Sequence, residues 1–212
     1  TQAALKGTPA MISHLRPAMV LILLFTLLTG LALPLAMTGI GGTLFPFQSA
    51  GSLIERNGKV VGSTLIGQDF TTPAYFHPRP SAITGPDPKD ASKTIPTPYD
   101  ASNSNASNLA PTSKALVDRV AGDVKTLRAT EGGAPLPADA VTTSASGLDP
   151  DVSPANALRQ APGVAAARGV PEDAVRALIA AHTVAPALGF IGEPHVNVLA
   201  LNLALDARFP HH

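Results

Sequence analysis

Ala18 to Met37 is a run of 20 residues without a charge. Wound as a helix at about 1.5 Å per residue it covers roughly 30 Å, the hydrocarbon thickness of a bilayer. After Arg16 no charged residue appears until Glu55. Pro34 inside the run requires a neighbouring helix or a Thr hydroxyl to satisfy the carbonyl it frees. A secretory signal is the competing reading, with a small-x-small site at Gly30-Leu31-Ala32. The apolar run does not stop there, however, but continues through Leu33, Leu35, Ala36, Met37 and Ile40. A signal core ends after about 7–15 residues, so the pattern favours an uncleaved anchor. Residues 39–47 (GIGGTLFPF) read as a flexible exit with aromatic residues near the interface.

Beyond the anchor the pattern changes character several times. "KVVGSTLIGQDF" (59–70) alternates as one or two strands, with both faces partly apolar. Residues 71–113 are rich in Pro, Ser and Asn, a composition that reads as a linker, yet "YFHPRPSA" (75–82) sets two aromatics and an Arg inside it. A long irregular segment in a compact domain is more often functional or partner-bound than idle. Leu116, Val117, Val120, Val124 and Leu127 then recur at helical spacing, and Gly132-Gly133 ends that helix. Ser153-Pro154 is a helix start, with Ser as N-cap and Pro in the first helical position. "PEDAVRALIAAHTV" (171–184) is a helix that buries Val175, Leu178, Ile179 and His182. The final segment, 196–209, fits helix or strand, and the spacing of Leu199, Leu203 and Asp206 favours helix. The expected fold class is α+β: one N-terminal transmembrane helix and a single extracytoplasmic α+β domain. Its organisation is a cytoplasmic tail at 1–15, the span at 16–39 and the domain at 40–212.

Charge sets the orientation. Lys6 and Arg16 precede the span and the acids follow it, so the basic flank stays in the cytoplasm and Gln48 to His212 lies outside. Met11 would make a natural first residue, and His211-His212 resemble a tag remnant. The exported part carries all 15 acidic residues and 13 of the 15 basic ones. A net charge near −2 leaves no basic footprint for nucleic acid. With no Cys, disulfides and thiolate metal sites are excluded. With no Trp and few aromatics, the core must be aliphatic and alanine-rich.

No phosphate-binding loop, dinucleotide fingerprint, nucleophile elbow or H-E-x-x-H zinc motif occurs. His77, His182 and His195 are scattered along the chain. Three loops stand out: "GQDFTTPAYFHPRPSA" (67–82), the Ser/Gly turn "SASGLDPDVSP" (144–154) and the double-glycine turn "GFIGEP" (189–194). Core-plugging aromatics and turn chemistry account for all three. A second class of function, an exported or membrane-anchored envelope hydrolase with its site in the Pro-rich loop and His77 or His182 as base, lacks a nucleophile–base pair. A third is an envelope-binding protein without catalysis.

Read in order behind one span, "GSTLIGQDF", "YFHPRPSA", "YDASNSNASNL", "VTTSASGLDPDVSP" and "GEPHVNVLALNLALD" resemble the C subunit of the Kdp potassium-transporting ATPase, the KdpC family. The resemblance runs from about Met11 to Asp206. It implies a non-catalytic, single-pass subunit of a bacterial inner-membrane complex, with its main domain periplasmic. The implied partners are a potassium-conducting subunit, a P-type ATPase subunit and membrane lipid, with potassium as the transported ion and no firmly bound cofactor. It also implies a role in assembly and as a catalytic chaperone that promotes ATP binding by the ATPase subunit. By resemblance, Gln160 with Pro162 matches the position proposed to assist nucleotide binding, although Gly163 and Ala166 stand where basic residues are common. The orientation places Gln160 on the side opposite ATP, which favours indirect action. Partner or potassium-path contacts fall on the loops at 67–82 and 99–109: Gln68, Tyr75, Phe76, Arg79, Ser81, Asn103, Asn105 and Asn108. Oxygens of Ser102, Ser104 and Ser107 add to a segment suited to weak cation contact.

Overall fold

The structure is a computed structural model that describes residues 11–131 and 133–210. The cytoplasmic tail expected at 1–15 falls mostly outside the described residues, as do Gly132 and the terminal His pair. The chain forms two units that divide after Ser52.

In the first unit, one apolar helix, α1 (Leu15–Leu44), has 30 residues and no side chain buried by the chain itself. At about 1.5 Å per residue it is roughly 45 Å long, more than a hydrocarbon core requires. Pro34 is taken up without a break because Leu28–Ala32 widens into a π turn. The Leu33 amide bonds Leu28 O, five residues back, and Thr29 Oγ1 donates to Phe25 O at 2.6 Å. That widening is the usual relief for a ring that clashes with the preceding turn. The flexible exit expected at 39–47 is instead helical as far as Leu44. Thr43 Oγ1 lies 2.9 and 3.0 Å from the carbonyls of Gly39 and Ile40, to which it donates. The glycines there expose backbone, and the hydroxyl covers part of it.

A short helical turn at Pro46–Ser49 closes the first unit, and the second unit carries every strand and the longer helices that follow. β1 (Leu53–Arg56) and β2 (Lys59–Ser63) form a hairpin, turned at Asn57-Gly58 with φ of 53° and 73°, the signature of a type I′ turn. Only the first five residues of the expected strand at 59–70 are strand. The rest leaves the ladder because Gly67 N bonds Leu148 O across the domain. β3 (Thr84–Asp87) and β4 (Asp90–Pro96) form a second hairpin inside the Pro-rich segment, which is therefore folded rather than a linker.

Behind α2 (Lys114–Glu131) come β5 (Asp151–Val152), α3 (Pro154–Arg168), α4 (Glu172–His182), β6 (Thr183–Val184), β7 (His195–Asn197) and α5 (Val198–Arg208). The three short strands make an antiparallel sheet in the order β5-β7-β6. Helices α3, α4 and α5 close over it around Val152, Ala161, Val175, Ile179, Val196 and Leu205. Ser153 caps α3 by accepting from Asn156 N at 3.0 Å, with Pro154 next, as expected. Gly169 ends α3 in the left-handed region at φ 66°. Of the expected α4 face, Val175, Leu178 and Ile179 are buried, whereas His182 is half-buried with Nδ1 2.9 Å from Leu178 O. In the final segment both signals are real: His195–Asn197 is strand, and the helix begins at Val198 under an Asn197 cap. On α2, Leu116, Val120, Val124 and Leu127 are half-buried, while Val117 faces out at 58 % exposure.

Candidate functional site

Loop 67–82 lies over α3 and α5 and borders a cleft of about 400 Å³ whose wall includes Asp69, His77, Arg79, Ser81, Tyr99 and Arg159. A second hollow of about 230 Å³ shares His77, Leu127 and Arg159 with it and adds Tyr75, Gln160 and Gly163. The loop has no ladder of its own, so its polar backbone needs partners from elsewhere. Two amide side chains supply them. Phe76 N donates to Asn202 Oδ1 at 2.9 Å, and Asn202 Nδ2 donates to Phe76 O at 3.0 Å. One residue on, His77 N donates to Gln160 Oε1 at 2.8 Å, and Gln160 Nε2 donates to His77 O at 3.1 Å. Consecutive residues are thus clamped alternately from α5 and α3. Each amide mimics a strand neighbour, with its oxygen towards the N–H and its nitrogen towards the carbonyl.

The clamps fix what the loop presents. Phe76 is fully buried in the core, which corrects the expectation that it reaches a partner: its apolar ring is worth more inside, and Asn202 closes the backbone over it. Tyr75 is half-buried. Its hydroxyl donates to Asp206 Oδ2 at 3.2 Å, and the Arg168 guanidinium lies 4.7 Å from its ring centroid. Arg168, almost entirely buried, also pairs with Asp206 Oδ1 at 2.8 Å and donates to the carbonyls of Ala74 and Phe209. Gln68 is engaged by Val61 O at 2.7 Å.

The Ser/Gly turn at 144–149 is the hub to which both suspected loops are tied. Ser144 N bonds Pro80 O, Asn105 N bonds Ser146 O, and Gly67 N bonds Leu148 O. Ser81 Oγ donates to Gly147 O at 2.9 Å, Ser104 Oγ to Ser146 O at 3.1 Å, and Arg79 Nη1 to Asp149 Oδ2 at 2.8 Å. Tyr99, held at φ 59°, donates to Arg79 O at 2.7 Å. Burial, and then the Asp149 carboxylate, raise its phenol above the ordinary range, so it stays protonated as that donor. Asn103 donates to Thr84 O. Asn105 Oδ1 accepts from Ala106 N, and Asn108, at φ 51°, donates to Ala106 O. Ser102 Oγ bonds the Asp100 carboxylate at 2.7 Å. Asn105 and Asn108 are exposed, as are Ser102 and Ser104, whereas Asn103 is half-buried.

Gln160, expected beside nucleotide, stands in a relay within the domain. Asn156 Nδ2 donates to Asp139 Oδ2 at 3.1 Å, and Asn156 Oδ1 accepts from Arg159 Nη2 at 2.9 Å and from Gln160 Nε2 at 3.3 Å. Pro162, exposed inside α3, offers no N–H. Among the described residues no group of three or more His, Asp or Glu side chains is placed to hold a metal.

The KdpC family model, described as K+-transporting ATPase, c chain, matches residues 15–207, which takes in both the apolar helix and the folded domain. The chain belongs to the KdpC family. Relatives named potassium-transporting ATPase KdpC subunit share its length as well as its sequence. That of Methylobacterium nodulans is 64% identical over 196 residues, 92% of this chain and 98% of the relative. That of Rhodopseudomonas palustris is 60% identical over 197 residues, 93% and 99% of the two chains. That of Bradyrhizobium diazoefficiens is 60% identical over 196 residues, 92% and 98%. The matched residues 15–207 include those of the amide clamps and of the 144–149 hub. Among the residues the sequence pattern did not mark as functional, Asn202, Arg168 and Asp206, the last read only as a helix position, organise loop 67–82. Asn202 was legible as one polar position in an otherwise apolar helix stretch, "VLALNLAL". Arg168 carried no comparable signal.

Proposed function

We propose that the chain is the accessory, non-catalytic subunit of an ATP-driven potassium uptake complex in a bacterial inner membrane. Helix α1 anchors it, with the N-terminus cytoplasmic and the domain periplasmic. The domain is needed to assemble a potassium-conducting subunit with a P-type ATPase subunit, and it promotes ATP binding by the ATPase subunit from a distance. The single observation that carries this reading is the family match across residues 15–207, span and domain together. Orientation rests on Lys6 and Arg16 ahead of the span. Indirect action on ATP is supported by the Gln160 amide, whose oxygen and nitrogen are both engaged by His77. A phosphate at that place would have to displace both bonds. Exposed parts of loops 67–82 and 99–109 serve as docking surface for the conducting subunit. Potassium is the cargo, and no cofactor is held by this domain.

The test is a mild-detergent pull-down of the full chain from native membranes grown in low potassium, followed by ATPase assays with and without potassium. Recovery of two large membrane subunits with potassium-stimulated hydrolysis is the expected result. A chain recovered alone, or shortened near Ala32, refutes the reading. Gln160→Leu in the recovered complex is expected to leave the KM for ATP within about twofold. A tenfold rise would count against a purely internal role for the Gln160 amide.

A further inference from the structure

Near the middle of α1 one backbone acceptor loses its helical donor. The amide four residues beyond Thr29 is that of Leu33, and it bonds Leu28 O instead. The residue five beyond is Pro34, which has no N–H. The widened turn that takes up the proline therefore strands Thr29 O. The hydroxyl at this level is spent as well, since Thr29 Oγ1 donates to Phe25 O at 2.6 Å. The next hydroxyl towards the C-terminus is Thr38, roughly 13 Å further along the axis. Thr29 stands halfway along the 30-residue helix, roughly 21 Å from either end. Neither headgroups nor bulk water reach that depth, and acyl chains carry no donor, so only protein can meet the stranded acceptor. Gly30, next in the chain, leaves room for it. A Cβ built there meets nothing, and small residues let helices approach closely.

We infer that Thr29 O accepts a hydrogen bond from a hydroxyl or amide side chain on a transmembrane helix of the potassium-conducting subunit, an inference that rests on the assembly reading above. A second copy of this chain is a poor source of the donor. Lying in the same orientation, it would bring the Thr29 hydroxyl to this level, already bonded to its own Phe25 O. Between the two partner subunits the tether decides. Only residues 45–52 join α1 to β1, about 28 Å at full stretch. The helix is thus held beside the subunit on which the loops of the domain dock. Polar side chains of this kind are the recurrent link between membrane helices, where lipid offers no competing partner.

A 13C=18O carbonyl placed at Thr29 of the full chain tests the bond by infrared spectroscopy, in the isolated chain and in the assembled complex, both in lipid. The labelled amide I band is expected to move to lower wavenumber on assembly. The same label at Leu24, whose carbonyl already accepts from Leu28 N, is expected to stay in place. No movement at Thr29, or an equal movement at Leu24, overturns the inference. A diazirine analogue of leucine at position 33 identifies the donor's owner, because a helical side chain covers the turn before its own Cα. Irradiation of the assembled complex in native membranes is expected to give an adduct mapped by digestion to the conducting subunit. Adducts to the ATPase subunit, to a second copy of this chain, to lipid only, or to nothing overturn the inference. Failure of the unmodified chain to recover partners would instead remove the assembly reading itself, so the two failures are told apart.

Discussion

Replacing Asn202 by Leu keeps the branching of the side chain and removes its amide. Phe76 N and Phe76 O, which it serves at 2.9 and 3.0 Å, would then be left buried without partners. Each such group costs about 1–3 kcal/mol, and the added apolar burial of Leu returns about 1 kcal/mol. A net loss of about 3 kcal/mol follows, equivalent to a fall of roughly 6–12 °C in the unfolding midpoint of a domain of this size. Gln160→Leu is the internal control. It removes a clamp of the same geometry from the next residue, but His77 is exposed and water replaces the lost partners. Its loss should be about 1 kcal/mol, or roughly 2–4 °C. Thermal unfolding of the purified full chain in mild detergent, followed by circular dichroism, reads both. Equal shifts for the two variants, or a shift for Asn202→Leu below that of Gln160→Leu, would refute the burial argument and with it the account of how loop 67–82 is held.

A Cβ on Gly147, at φ 71°, would meet the Ile83 side chain and stand 2.8 Å from Asn105 O. Gly147→Ala should therefore cost about 2–4 kcal/mol by the same assay, while Gly122→Ala on α2, where a Cβ meets nothing, should stabilise by about 0.5–1 kcal/mol. Ser153→Ala removes the α3 cap and a bond to Asp139 at 2.9 Å, and should lower stability by about 1–2 kcal/mol in chemical denaturation. Asp151 has its carboxyl raised above the ordinary value of 3.8, chiefly by burial, against the opposing pull of His195. A raised folded-state pKa gives a contribution that is complete below 3.8 and lost as pH rises through the folded value. Asp151→Asn, which keeps an oxygen for Asn197 Nδ2, should thus unfold at a higher temperature than wild type at pH 7, with the gap closing towards pH 3.5. A gap that widens on acidification would reverse the sign and overturn the cause assigned.

What the sequence determined on its own was set by local rules and by order. A charge-free run long enough for a bilayer needs no partner to be apolar, and it is helical from Leu15 to Leu44. The Ser153-Pro154 start is fixed by one side-chain oxygen three residues from the N–H it caps. The face of Val175, Leu178 and Ile179 follows from a 3.6-residue period. The ordered motifs were enough to place the chain in its family. The Asn57-Gly58 hairpin was equally local and was readable from its dipeptide.

Tertiary structure decided the rest, because an irregular loop has no period and its backbone bonds come from far along the chain. That Phe76 is a core plug rather than a surface anchor follows from Asn202, 126 residues away. That Gln160 is a clamp follows from His77, 83 residues away. Amide side chains in these places satisfy backbone groups that no ladder reaches, and no spacing rule predicts which amide will meet which loop. The turn at 144–149 reads locally as Ser/Gly chemistry. Only the folded chain makes it the point where the segments at 67–81 and 99–105 are joined.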